Sequence, residues 1–369
     1  MNAGDLHVVV PGPLSQRTGG YIYDARMVSG LRELGWRVIV HELEGRFPDP
    51  DGQARASLAK ALESITAGGR VLIDGLAMGS LPGPVRTHRD RLQILSIVHH
   101  PLSDETGLDD DRRERFRSLE QEALSACVGV LVTSRFTASR VRAFGFPSNR
   151  VHSVSPGVDR ARPARGRPEG ASPQLLCVAS VTPRKGQDVL VRALWRVREL
   201  SWRCVCAGSL DRAPGYADTV RRLAEESDVG ERVEFVGECD NAALNALYDE
   251  SSIFVLPSYF EGYGMVLAEA LARGLPVVST TAGAIPDTVP SAAGILVAPG
   301  DDEALAEALS ELLRTPSRLE GLAGAARSHA QDLPSWSHAV SAFADAILDL
   351  APDPPINPDA GGVSLSDVS

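Results

Sequence analysis

Residues 258–289 read Ser258-Tyr-Phe-Glu-Gly-Tyr-Gly-Met-Val-Leu-Ala-Glu-Ala-Leu-Ala-Arg-Gly-Leu-Pro-Val-Val-Ser-Thr-Thr-Ala-Gly-Ala-Ile-Pro-Asp-Thr-Val289. Just upstream, Ile253–Leu256 is a short apolar, partly β-branched run, as expected of a buried parallel strand. Pro257 and Ser258 end it, and a glycine-bearing loop leads into Met265–Arg273, an Ala/Leu-rich helix closed by Gly274. Pro276–Thr280 is the next strand. The helix start aims free N–H groups and a positive dipole end beyond the strand's carboxyl edge, where α/β folds take anions. Gly262 and Gly264 carry no Cβ to hold a ligand off the backbone. Glu261 lies on the loop, and Glu269 lies a little more than one turn into the helix. A carboxylate there repels phosphate but accepts hydrogen bonds from sugar hydroxyls. Two such acceptors around an anion-binding helix end describe a nucleotide-sugar site. Without a ligand, the same unit would be an ordinary βαβ with two solvated carboxylates.

The remaining composition narrows the class. A chain of 369 residues suits two domains, each able to bury a core. Hydrophobic residues make up 43%, yet no apolar run approaches the ~18 residues of a membrane span. The N-terminus has no basic segment followed by an apolar stretch, so no signal peptide is expected. The five cysteines (Cys127, Cys177, Cys204, Cys206 and Cys239) form no C-x-x-C pair, and four lie in apolar strand-like runs. Reduced core thiols and a cytoplasmic location follow as expectations. Through Pro168 there are 23 basic against 19 acidic residues; beyond it, 14 against 29. A mildly basic first half joined to an acidic second half fits two domains with different partners. No basic stripe with interleaved aromatics marks a nucleic-acid surface.

From the N-terminus, Leu6–Val10 is a strand and Pro11–Gly20 a loop with Gly19-Gly20 at its end. Tyr21–Leu34 is an amphipathic helix and Arg37–His41 the next strand. This first βαβ lacks the G-x-G-x-x-G dinucleotide pattern. Val71–Asp74 and Arg91–Val98 are further strands. The second of them delivers His99-His100 to a carboxyl edge, where active-site side chains collect. Either histidine could bond a sugar hydroxyl or stabilise charge near a leaving group. Asp109-Asp110-Asp111 contains a D-x-D, but it opens a charged helix and reads as a cap, so no metal is expected. Residues 160–173, rich in Pro, Arg and Gly, have linker composition. Beyond them, Arg184 and Lys185 emerge on a strand-to-helix loop beside Gly186, which suits gripping a diphosphate.

Glu261-x7-Glu269 followed by Gly-Leu-Pro-Val-Val-Ser-Thr resembles the signature of retaining glycosyltransferases with the GT-B fold, specifically family 4. The resemblance runs from about residue 6 to 350. It implies an α/β chain of two Rossmann-like domains facing each other across a cleft. Residues 1–168 would form the acceptor domain and 169–333 the nucleotide-sugar donor domain. Residues 334–350 would be a helix crossing back to the first domain, with Trp336 as anchor, and 351–369 a disordered tail. It further implies that a histidine at the 99–100 position contacts the donor hexose, with His99 preferred. Arg184 and Lys185 would hold the diphosphate, with Gly19 and Gly20 facing it from across the cleft, and Gly237 would lie where the base is held through backbone groups. Glu261, Gly262, Tyr263, Gly264, Met265 and Glu269 would complete the donor site. The expected catalytic set is His99, Glu261, Arg184 and Lys185. The expected reaction is retaining, metal-independent transfer of a hexosyl unit from a UDP- or GDP-linked sugar to a hydroxyl acceptor, without a cofactor. A lipid-linked acceptor would add peripheral membrane association. A non-hydrolysing nucleotide-sugar epimerase and a non-catalytic nucleotide-sugar binding protein are the alternatives.

Overall fold

The structure, a computed structural model, describes residues 5–168 and 170–352. Two six-stranded sheets, both parallel throughout, organise it. In the first, the order across the sheet is Arg37–Glu42, Asp5–Val10, Arg70–Asp74, Gln93–Val98, Gly129–Val132 and Val151–Ser153. In the second it is Gly294–Val297, Val277–Thr280, Ile253–Leu256, Gln174–Val178, Arg203–Ala207 and Val233–Gly237. Near-continuous apolar strands are what a parallel sheet covered by helices on both faces requires. Ile253, Phe254, Val255 and Leu256 accordingly show no exposure at all.

Strand order decides where ligands can sit. In an open parallel sheet, the crevice lies where the winding direction reverses, outside the carboxyl ends of the two strands that flank the reversal. In the second sheet that point separates Gln174–Val178 from Ile253–Leu256. The loops leaving these strands carry Arg184-Lys185 and Glu261–Gly264. In the first sheet it separates Asp5–Val10 from Arg70–Asp74, and those strands lead to Gly19-Gly20 and to Asp74.

The chain passes between the two sheets twice, and the passages lie side by side. Val158 N–H donates to the Pro334 carbonyl at 2.9 Å, and Val158 also bridges to Ser335. A Cβ on Gly157 would stand 2.4 Å from the Trp336 nitrogen, so the turn before Val158 needs a glycine. The helix Trp336–Leu350 then docks on the first sheet, against the helix Gly19–Glu33. Its anchors are Phe343 and Ile347, both essentially unexposed. Trp336 is half-buried instead, with Arg26 over its ring at 5.2 Å and the Tyr23 ring edge-on. Docking also extends past Leu350. Ala351 is buried and its carbonyl accepts from Arg70 Nε at 2.6 Å, so the expected tail does not start there. The rest of that tail, from residue 353, lies outside the described residues.

Two helices, Pro82–His88 and Pro214–Glu226, go beyond the sequence reading. Each begins with proline at its first position, a start signal that is easily taken for loop punctuation. Asp109 does cap the helix Asp110–Leu124, accepting from Arg112 N–H at 2.7 Å. Cys127, Cys177, Cys204 and Cys206 are buried with free thiols.

Candidate active site

The second domain supplies a dense cluster of charge. Glu261 is 6% exposed, and its carboxylate receives Lys185 Nζ and Ser258 Oγ at 2.6 Å each. Arg184 approaches the other carboxylate oxygen at 3.8 Å and donates to the Phe260 carbonyl at 2.9 Å. Burial alone would raise the Glu261 carboxyl, but the two cations and the hydrogen bonds outweigh it and hold the group below the usual carboxylate range. The loops are locked by glycines. Gly186 has φ +69°, and a Cβ there would meet the Pro257 carbonyl at 2.3 Å. A Cβ on Gly262 would stand 2.0 Å from the His99 carbonyl oxygen, so the two domains touch where only glycine fits.

Across this contact, the first domain presents His99 and His100, whose rings diverge. His99 Nε2 lies 3.0 Å from Asp24 Oδ1. Burial opposes a charged ring, yet the Asp24 carboxylate, by charge and hydrogen bond, and then Asp74 push the His99 pKa up to about 9. His100 packs against Phe260 of the second domain. Burial first, and then Arg184, bring its pKa down to about 4. Of these adjacent histidines, His99 is thus held as the cation and His100 as the neutral ring at neutral pH. Glu105, just beyond them, reaches Arg184 at 3.4 Å, and Thr137 Oγ1 donates to the Gly262 carbonyl at 3.3 Å.

The structure therefore brings His99, Arg184, Lys185, Glu261 and Gly262 together. Gly20 lies against the His99 ring, and Gly19 lies opposite Met265. Gly264, at φ +83°, starts the helix Met265–Ala272. Other expected residues stand apart. Glu269 pairs with Tyr248, whose hydroxyl donates at 3.1 Å, and burial raises its carboxyl pKa despite Arg273. The Tyr263 carbonyl accepts from Thr288, and Gly237 ends the outermost strand of its sheet. The sequence reading placed Arg184, Lys185 and Glu261 as separate groups facing a ligand. They are instead bonded to one another, because a buried carboxylate needs its cations close by.

A family model described as Glycosyl transferases group 1 matches residues 172–315. A relative from Mycolicibacterium smegmatis is 30% identical over 326 residues, 82% of this chain and 81% of its own length. It is a GDP-mannose-dependent alpha-(1-6)-phosphatidylinositol monomannoside mannosyltransferase. This chain belongs to the group 1 glycosyl transferases. A second relative of this glycosyltransferase is a D-inositol 3-phosphate glycosyltransferase from Corynebacterium aurimucosum, 30% identical over 71% of this chain and 66% of its own length. The architecture is the GT-B fold. Sucrose-phosphate synthase from Thermosynechococcus elongatus superposes with a TM-score of 0.80 at 21% identity, covering 94% of this chain and 98% of its own. Anabaena Alr3699/HepE in complex with UDP and glucose follows at 0.73 and 16%, covering 93% and 98%.

Three residues at this glycosyltransferase's cleft were missed by sequence reasoning: Asp24, Asp74 as a site residue, and Glu105. Asp24 left a legible signal. It shares a helix face with Met27, Val28 and Leu31, all buried, and a carboxylate on an apolar face is out of place unless paired. Glu105 left none, because its partner Arg184 is 79 positions away and in the other domain.

Proposed function

We propose that this glycosyltransferase transfers a hexosyl unit from a nucleoside diphosphate sugar to a hydroxyl acceptor, with retention at the anomeric carbon and without a metal. The observation that carries the reading is the convergence of Arg184, Lys185 and the buried Glu261 on the carboxyl edge of the second sheet, directly opposite His99. Two cations beside a helix N-terminus can offset the charge that develops on a departing diphosphate, the task a divalent ion performs elsewhere. In this reading Glu261 orients the two cations and meets hydroxyls of the transferred sugar. Glu269, on the helix behind it, takes the ribose, and the first domain receives the acceptor. Both relatives named above are glycosyltransferases, and the first uses GDP-mannose, which makes GDP-mannose the first donor to try. A polyol or inositol-bearing hydroxyl is the corresponding first acceptor.

The test is nucleoside diphosphate release from a panel of GDP- and UDP-sugars with such acceptors, in excess chelator, with the product anomer assigned by NMR. The α-anomer from an α-linked donor, formed at an undiminished rate under chelator, is expected. A β-product, or activity restored only by Mg²⁺ or Mn²⁺, overturns the corresponding part of the reading. Donor epimerisation without transfer indicates an epimerase, and binding without turnover a nucleotide-sugar binding protein.

A further inference from the structure

His99 sits on a buried acidic pair that the transfer reaction, as described above, does not use. Asp24 is 4% exposed and Asp74 5%, while the His99 side chain keeps 20%. One donor atom from each of the three lies within 4.8 Å of the others. Asp24 Oδ1 takes His99 Nε2 at 3.0 Å, whereas its Oδ2 is buried without a hydrogen-bond partner, and the Asp74 carboxyl lies close by. Asp74 Oδ1 in turn accepts from Leu76 N–H at 2.7 Å. Two carboxylates buried side by side cannot both ionise cheaply. Burial and then Asp24 raise the Asp74 carboxyl to about 7, so below that pH it holds a proton that it can donate to Asp24. The chain carboxyl–carboxylate–imidazolium is then neutral overall, with its positive end at the cleft.

We infer that Asp24, backed by Asp74, is a positioning residue that fixes the His99 ring at the cleft and keeps a positive charge there. The geometry leaves the ring little freedom. A Cβ on Gly20 would stand 3.1 Å from His99 Cδ2, and Tyr23 meets the ring edge-on at 5.5 Å. The His99 carbonyl abuts Gly262, so the ring and the donor loop are held in one register. The titratable groups around the ring are Asp24 and Tyr23 on the first helix and Asp74 at the end of its strand. The second domain's Arg184 and Glu261, together with Glu105 and Asp104, act on His100 instead. A fixed imidazolium at the cleft adds a positive charge on the first-domain side of the contact with the Gly262 loop.

The kinetic consequence rests on the transferase reading, whereas the charge state of His99 does not. Imidazole NMR titration of the full-length protein, with His99 assigned by its loss in His99→Gln, reads the charge directly. In the wild type the ring should stay protonated past pH 8 and titrate near 9. In Asp24→Asn it should titrate at or below the ordinary value of about 6.5. At pH 8, Asp24→Asn should lower kcat on the order of 10- to 100-fold with the donor KM nearly unchanged. Activity should return as pH falls through about 6.5, where the unassisted ring regains its proton. Asp24→Glu should recover part of kcat. If Asp24→Asn does not fold, Asp74→Asn serves in its place and should lower the His99 titration less. A wild-type His99 that titrates near 6.5, or one that the variants leave unmoved, overturns the inference. So does a stoichiometric divalent metal on these residues in the purified protein. Absence of any transfer by the wild type would instead sink the transferase reading and leave the titration to decide this one.

Discussion

Lys185 is one of only two lysines in the chain, and its ammonium is bonded to Glu261 at 2.6 Å. Removing it has two separable effects. Lys185→Ala should weaken nucleoside diphosphate binding about 10- to 100-fold, the loss of one charge-assisted contact of about 1.5–3 kcal/mol. It should also lower stability, because Glu261 keeps its burial and loses its nearest cation. Calorimetry measures the first effect and thermal unfolding the second. The double variant Lys185→Ala/Glu261→Ala should recover stability without recovering affinity, and if it recovers neither, the pair is not coupled as described. The two glutamates should also separate kinetically. Glu261 lies at the contact between the domains, whereas Glu269 is one helix turn and more behind it, bonded to Tyr248. Glu261→Ala should chiefly lower kcat, and Glu269→Ala should chiefly raise the donor KM. The reverse pattern in steady-state kinetics would reverse the assignment. Glu261 and Glu269 were legible as a spaced pair on a loop and a helix. Their partners were not, because Lys185 and Tyr248 approach them only once separate strands have come together.

At the scale of single elements, the helix Gly19–Glu33 does two jobs. Its start places Gly20 and Asp24 at the cleft, and its end receives the helix Trp336–Leu350. The seam between the helices closes over Gly30, where a Cβ would stand 2.4 Å and 2.8 Å from the two γ-methyls of Val340. Alanine there would gain about 1 kcal/mol of helix propensity. Valine is stiff at χ1 and cannot swing aside, and overpacking costs about 1–3 kcal/mol. Gly30→Ala should therefore lower the unfolding midpoint, and adding Val340→Ala should restore it. An unchanged midpoint for the single variant would mean that the seam is looser than these distances state. Helices and strands of this kind were readable from apolar periodicity, caps and closing glycines. The helices Pro82–His88 and Pro214–Glu226, which start on proline, were not.

For the whole molecule, the cleft is held by contacts between residues far apart in sequence. Arg184 reaches Glu105, Arg26 reaches Asp159, and Arg17 donates to the Cys239 carbonyl at 2.6 Å. In the reading proposed above, Glu105 competes with the donor diphosphate for Arg184. It is 41% exposed, and an exposed pair of this kind is worth at most about 1 kcal/mol, so Glu105→Gln should strengthen nucleoside diphosphate binding by up to about fivefold. Calorimetry at low salt checks this, and a weaker affinity would show that Glu105 supports the donor rather than competing with it. Among the described residues no helix is long and apolar enough to cross a membrane. The sequence by itself determined two parallel α/β sheets and the glycine loops at their carboxyl edges, because strand periodicity, helix signals and loop chemistry act over a few neighbouring residues. Only the tertiary structure decided that Lys185 closes on Glu261, that His99 is charged and His100 neutral, and that Asp24 and Asp74 stand beneath the first of them. Those outcomes depend on burial and on charges brought within a few ångströms by strand order and domain contact, and neither is written in local sequence.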